Sequence, residues 1–290
     1  LTFLNGKFHG IAQFMERQDD NFIAEKYNIE KSSITALEKN FYFTLDELKY
    51  APNYDCGKEW FDLIDTLEFL DMQRDGLEYL DSKIDLDNFT DYIILQTFLQ
   101  NGDWPHNNVL FWKSTELDNK WRWIVYDLDA SFSQGNIDET YSNYFDLSRL
   151  KPKETIQQLF QTIIKDSTFY RKFITRFADL MNTEFSSDNI VSKIDSLEKV
   201  LAPEIKRQQA TYDSSCVNWE KEVERMREFA STRPAYQRLH IRNVHYLPNV
   251  CKVILKSNIQ DACTFDVNTL KIDTSSWSGY YFPTIPITVT

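Results

Sequence analysis

Three hydrophobic periods alternate along the chain. Residues 1 to 16, "LTFLNGKFHGIAQFME", set two short apolar runs on either side of Asn5-Gly6. Both turn positions tolerate positive φ, so the stretch predicts a β-hairpin, and Glu16, Arg17, Asp19 and Asp20 form its charged exit. In "GKEWFDLIDTLEFLDMQ", Trp60, Phe61, Ile64, Leu67 and Leu70 recur at i, i+3, i+4 spacing and predict one amphipathic helix. "SKIDLDNFTDYIILQTFLQN" predicts another, with Asp85 or Asp87 as N-cap. Its apolar positions nearly encircle it, which places it in a core.

The period then changes to two. "NVLFWK" and "KWRWIVYDLD" read as strands joined by the polar turn "STELDN". After residue 150 helical spacing returns in "KETIQQLFQTII", "STFYRKFITRFADLMN", "SDNIVSKIDSLEKVLAPEIKRQQATY" and "NWEKEVERMREFASTRPAYQRLHIRNVHYL". Pro203 and Pro234 predict kinks or breaks in the last two. From about residue 249 the texture is Val, Ile, Thr and Tyr with almost no helical period, which reads as short strands of a separate β segment. The fold class expected is therefore α+β.

Composition narrows the picture. At 290 residues, 42% hydrophobic and 15% aromatic, the chain can bury a substantial core and is no disordered tail. A net charge of −12 disfavours a broad nucleic-acid face, because polyanion binding needs clustered cations. No apolar run approaches the roughly 20 residues that span a bilayer. The start "LTFLNGKFHG" has no basic n-region or signal-peptide core, and reads as an excised piece of something longer. Four cysteines fit no metal pattern; Cys251 and Cys263, close together in the β-like stretch, are the candidate disulfide pair.

Two polar clusters end apolar elements, with one hairpin between them. In "NGDWPHNNVLFWK", Asp103 follows the buried helix and Asn108 stands five positions on. A carboxylate there can orient a hydroxyl or accept its proton, and the amide oxygen can coordinate a divalent cation. In "IVYDLD", Asp127 and Asp129 lie two apart, on one side if the strand persists. Two such carboxylates repel unless a cation or proton lies between them. Hard oxygen ligands favour Mg²⁺, Mn²⁺ or Ca²⁺ over zinc. The plainer alternative, a turn with solvated carboxylates, stays open at this point.

"NGDWPHNNVLFWK…KWRWIVYDLDASF", preceded by "FLNGKFHGIAQFMER", closely resembles the CotH kinase family, named for spore-coat protein H. These are atypical, secreted or surface-associated protein kinases with a distant protein-kinase-like fold. The resemblance runs from residue 1 to roughly 245. It implies a kinase-like body in which 1–20 ends a small lobe and 21–248 form a mainly helical large lobe, with a catalytic hairpin at 108–129. Residues 249–290 would begin a C-terminal β module of the kind appended in bacterial surface chains. It further implies Mg²⁺ (or Mn²⁺) and ATP as cofactors, a Ser- or Thr-bearing protein as substrate, and a place outside the cell or at its surface. Asp103 resembles the catalytic-loop aspartate, Asn108 the metal-binding asparagine, and Asp127 the aspartate that holds metal against nucleotide phosphates. Asp129 resembles a second ligand, and Glu16 would lie beside the adenosine. The strands carrying the phosphate-covering loop and ATP-binding lysine would precede Leu1, so no lysine here takes that role and the hairpin's apolar face would be left open.

Two other functions compete. A DxD pair also binds the metal of a nucleotide sugar in glycosyltransferases, although no βαβ pattern precedes Asp127. Alternatively, the chain is a non-catalytic surface adhesion or scaffold protein with a kinase-like body.

Overall fold

Seventeen strands and α-helices are traced by a computed structural model that describes residues 1–39, 54–132, 154–212, 218–257 and 264–290. The chain runs β1 (Thr2–Leu4), β2 (Lys7–Gly10), α1 (Asp20–Tyr27), β3 (Ile34–Lys39), α2 (Tyr54–Thr66), α3 (Gly76–Asp81) and α4 (Leu86–Leu99). Then come β4 (Val109–Ser114), β5 (Arg122–Ile124), α5 (Thr155–Ile163), α6 (Ser167–Asn182), α7 (Ser187–Thr211) and α8 (Trp219–His245). Strands β6 (Cys251–Lys256), β7 (Phe265–Val267), β8 (Leu270–Ile272) and β9 (Ser276–Tyr281) complete it. The fold is α+β. All the paired strands are antiparallel, in the order β3-β4-β5 for the one three-stranded sheet among the described residues.

That sheet has two unlike faces because side chains alternate along a strand. The cross-strand row Leu37, Phe111, Trp123 is buried. Trp60 of α2 packs on Phe111 with ring centroids 4.6 Å apart, and Phe89 of α4 packs on Trp123 at 4.7 Å. The opposite row, Glu38, Leu110 and Ile124, faces away from this aromatic core. Strand β3 is absent from the sequence expectation. "ITALEK" is too short and too mixed to show an alternation by itself, and its pairing with all six residues of β4 supplies the strand.

The helices meet the expected periods, with differences at particular residues. Asp85 is the N-cap of α4 and accepts from the Asn88 amide, as one of the two candidates required. Helices α7 and α8 continue through Pro203 and Pro234 rather than breaking. Proline removes one helical hydrogen bond, but each sits deep in a helix of 25 or 27 residues, and the two helices pack along each other. Pro203 is exposed, where water can take up the freed carbonyl.

At the amino end, Asn5 (φ 50°) and Gly6 (φ 77°) turn the β1–β2 hairpin, as the Asn-Gly pair predicts. Gly10 (φ 121°) lets β2 lie against α7, where an added Cβ would fall 2.8 Å from Gln208 Oε1. The Ile11 amide donates to that same oxygen at 2.8 Å. Arg207 lies over the Phe8 ring at 4.3 Å, while Phe3 and Leu4 are exposed. At the carboxyl end, the β segment is seated on α6. Val267, Ile272 and Tyr281 form a small second core with Ala178. Asp179, fully buried in α6, accepts from Asn268 Nδ2 (3.0 Å), the Thr269 amide (3.1 Å), Thr269 Oγ1 (2.8 Å) and Tyr281 Oη (2.8 Å). Cys251 is exposed, and Cys263, its expected partner, lies outside the described residues.

Candidate active site

Asp103 owes its position to the end of α4. Gln100 caps that helix in the left-handed conformation (φ 56°) and turns the chain out of the core. The next residue, Asn101, is fully buried; its Nδ2 donates to Gln96 Oε1 at 2.9 Å and its Oδ1 accepts the Asp103 amide at 3.2 Å. The Asp103 carbonyl then accepts the Asn107 amide at 2.9 Å, which closes the loop into a turn. Trp104 is buried with its ring edge-on to Tyr92 of α4, so the segment is anchored to the aromatic core.

Helix α8 holds this loop from behind. Arg233, with no exposed surface, donates from Nε to the Phe98 carbonyl at 2.8 Å and from Nη2 to the Thr97 carbonyl at 2.6 Å. Those carbonyls belong to the last turn of α4; Thr97's also accepts the Gln100 amide at 3.3 Å, and a cation suits the negative end of the helix. Two turns earlier, Arg225 donates to the Phe132 carbonyl. The Gly102 amide meets the Ala130 carbonyl at 3.0 Å, and the Phe132 amide meets the Leu99 carbonyl at 2.9 Å. The loop after α4 and the segment after β5 are thereby joined backbone to backbone.

Asp127 and Asp129 are brought together by a turn and not by a pleat. Strand β5 ends at Ile124, short of the expected "WIVYDLD", and Asp127 is left-handed (φ 50°). Asp127 and Asp129 hydrogen-bond side chain to side chain, with Asp103 close enough for its charge to be felt. The buried Asn108, itself left-handed (φ 56°), donates its side-chain amide to Asp127. Although Asp127 reaches solvent, its carboxyl is raised above the ordinary range. Partial desolvation is the largest cause, followed by the charge of Asp129, the hydrogen bond with Asp129 and the charge of Asp103, while Asn108 opposes them. Asp103, Asn108, Asp127 and Asp129 thus occupy one place.

A cleft of 730 Å³ opens on the face of the sheet turned away from the aromatic core; it reaches Tyr126, the residue before Asp127, and none of the four polar residues lines it. Ile34, Ala36 and Glu38 of β3, Leu110 of β4 and Tyr126 line one wall, and the strap from Met15 to Asn21 lines the other. Glu16 lies on that strap, exposed at the mouth. Tyr126 Oη donates to Glu38 Oε1 at 2.9 Å across the floor, next in sequence to Asp127. Burial and the adjacent Glu38 charge both raise the Tyr126 phenol, so it remains a donor. Neither Glu38 nor Tyr126 is among the sequence candidates, because their roles depend on the unforeseen β3. Arg225 and Arg233 were equally hidden, since in the sequence they read as ordinary charges on an amphipathic helix.

The donor set suits a hard cation of limited protein coordination. No group of three or more His, Cys, Asp and Glu side chains among the described residues is placed to hold a metal ion by itself. Mg²⁺ does not require one, because it is commonly held by one or two carboxylates with water and substrate phosphates completing the octahedron. Asp127, Asp129 and the Asn108 oxygen are the atoms that would do so. None of the helices is long and apolar enough to cross a membrane among the described residues.

Comparison with known proteins yields one family. The family model described as CotH kinase protein matches residues 2–237, which takes in every residue of this site and stops within α8. No curated protein matches the chain significantly.

Proposed function

The chain belongs to the CotH kinase family, and on that premise we propose that it transfers the γ-phosphoryl group of ATP to Ser or Thr hydroxyls of a protein. Family membership supports a kinase-like function; the nucleotide, the acceptor and the residue roles are our reading. The observation that carries it is the raised Asp127, close to Asp129, Asp103 and Asn108 and next in sequence to Tyr126, which lines a cleft of nucleotide size.

In this reading Asp103 orients the acceptor hydroxyl and takes its proton as the new P–O bond forms and the bond from the γ-phosphorus to the β,γ-bridging oxygen breaks, with ADP as the leaving group. Its loop is fixed by Asn101 and Arg233, so the carboxylate needs no rearrangement to meet the hydroxyl. Asn108, Asp127 and Asp129 would hold Mg²⁺ or Mn²⁺, which supplies countercharge to the nucleotide phosphates when bound. The apolar side chains of Ile34, Ala36 and Leu110 offer a platform for a purine, and Glu16 at the mouth would lie near the ribose or the base edge. A location outside the cell or at its surface belongs to the same proposal on the strength of the resemblance alone.

Thermal unfolding with Mg²⁺ and ATP, and separately with Mg²⁺ and UDP-sugars, tests the assignment. A ligand at 100 times its Kd stabilises by about 2.7 kcal/mol. Stabilisation by Mg²⁺-ATP, abolished in Asp127→Asn, supports the kinase reading. Stabilisation by UDP-sugars alone would transfer the site to glycosyl chemistry, against which the antiparallel pairing of the described strands already weighs. No response to either nucleotide class would leave a scaffold protein.

A further inference from the structure

A second cavity, of 430 Å³, lies between the carboxyl half of α8 and strand β9, on elements that take no part in the nucleotide cleft. Its walls are Leu239, Val250, Tyr280 and Phe282, and its charged groups are Arg238 and Arg242. Those two arginines are one helical turn apart, a spacing that sets like charges on the same face and is unfavourable by itself. No carboxylate among the described residues lies within salt-bridge distance of either. The contrast within the molecule is plain: Arg122, Arg176, Arg225 and Arg227 each face an Asp or Glu. In a chain with 44 acidic and 32 basic residues, carboxylates are not scarce.

What the two guanidiniums do touch is neutral. Arg238 donates from Nη1 to the Pro234 carbonyl (3.3 Å) and from Nη2 to the Met181 carbonyl (3.1 Å) and Asn182 Oδ1 (2.9 Å). Its Nε is buried and has no acceptor, and its guanidinium lies 5.4 Å from the centre of the Tyr280 ring. Arg242 donates to Asn243 Oδ1 and to Asn249 Oδ1. Burial also depresses the Arg238 cation from its ordinary value, the opposite of what a carboxylate neighbour would do. A cation desolvated on one side and stacked on an aromatic ring is how proteins present arginine to a planar anion.

We propose that the cavity between α8 and β9 binds a small carboxylate with an aromatic or branched apolar body. The carboxylate is placed at the Arg238–Arg242 pair and the apolar body against Leu239, Val250, Tyr280 and Phe282. The charge fixes the anion, and the predominantly apolar walls exclude a bare inorganic ion as the preferred occupant. Because β9 forms one wall, occupation of this site would also hold the carboxyl-terminal β segment against α8.

Titration calorimetry with 3-phenylpropionate, 3-phenylpropionamide and inorganic phosphate tests this on the whole chain. The acid is expected to bind, the amide and phosphate each at least about tenfold more weakly, the scale of one lost charge-assisted contact. Arg242→Gln, at a partly exposed position, should weaken the acid about tenfold with an unchanged melting temperature. Arg238→Met should also weaken the acid about tenfold, with some loss of melting temperature because its bonds to Met181 and Asn182 go with it, and the ring contact with Tyr280 gives a second readout through tyrosine fluorescence on titration. Failure of the acid to bind at millimolar concentration would overturn the proposal. So would equal binding of acid and amide, equal binding of phosphate, or undiminished binding by a folded Arg242→Gln protein.

Discussion

Asp179 and Asp127 are both aspartates at the junction of a helical body with β-structure, and they are opposites. Asp179 has no exposed surface, and four donors converge on its two oxygens. Asp127 reaches solvent, and its nearest charged neighbours are two more carboxylates. The first carboxylate is complete within the protein: its charge is spread over hydrogen bonds that seat β7, β8 and β9 on α6. The second is incomplete until something positive arrives. A buried, satisfied charge holds a fold together, whereas a cluster of like charges kept at the surface by left-handed backbone serves something outside the chain.

Replacing Asp103 separates the two kinds most strongly. In the proposed kinase, Asp103→Ala should slow phosphoryl transfer by roughly 10²–10⁴-fold while Mg²⁺-ATP still raises the melting temperature. Single-turnover phosphorylation alongside thermal unfolding checks both. A protein that instead loses stability without a specific loss in the chemical step would place Asp103 with Asp179 as a structural carboxylate.

Asp179→Ala should do the reverse. It leaves Asn268, Thr269 and Tyr281 donors facing a buried gap, at roughly 3 kcal/mol or more of stability. For a chain of this size that corresponds to a fall of roughly 5 °C in melting temperature. Amide hydrogen exchange should rise first in β7 to β9, and Mg²⁺-ATP stabilisation should persist. Loss of nucleotide binding together with the β segment would show that the two regions are coupled.

The sequence made these two aspartates legible to different degrees, for a physical reason. Asp103, Asn108, Asp127 and Asp129 stand out because polar residues interrupt strongly apolar elements, and the structure does bring the four together. Their joining was expected from a continuous strand; the left-handed turn at Asp127 does it instead, a backbone state that Asp allows but does not announce. Asp179 reads in "FADLMN" as one polar residue on an amphipathic helix, and nothing nearby in sequence shows that residues 268, 269 and 281 will cover it. Strand β3 was illegible for the same reason, since its partner lies 70 or more residues away. Local periods revealed α4, β4 and α8. They were silent on Glu38, Tyr126, Arg225 and Arg233, whose meaning lies wholly in what another element places beside them.

The smallest expected effect is the most direct measure of the contrast. Asp127 is raised in the folded protein, so the folded state holds its proton more firmly than the unfolded chain does. Its contribution is therefore most favourable below the ordinary aspartate value of 3.8 and is lost as pH rises through the raised folded value. Asp127→Asn should be more stable than the parent at pH 7 without metal, by about 0.5 kcal/mol, the scale of exposed charge pairs. Asparagine is the right replacement because it tolerates φ 50°, where alanine would add backbone strain. The advantage should shrink to nothing as pH falls below 3.8. His245 does not confuse the comparison. Burial lowers its imidazole to about 4, so stability falls as pH drops from 6.5 towards 4, but equally in both proteins. Asp118, at the other end of the same hairpin, supplies the opposite sign. Its hydrogen bonds with Arg122 hold it at about 2, so its contribution is fully present above 3.8 and is lost as pH falls from there through about 2. Chemical denaturation of Asp127→Asn, Asp118→Asn and the parent from pH 3 to 8 should give difference curves of opposite slope. An Asp127→Asn protein less stable than the parent at pH 7 would mean that Asp127 is satisfied within the fold after all, as Asp179 is.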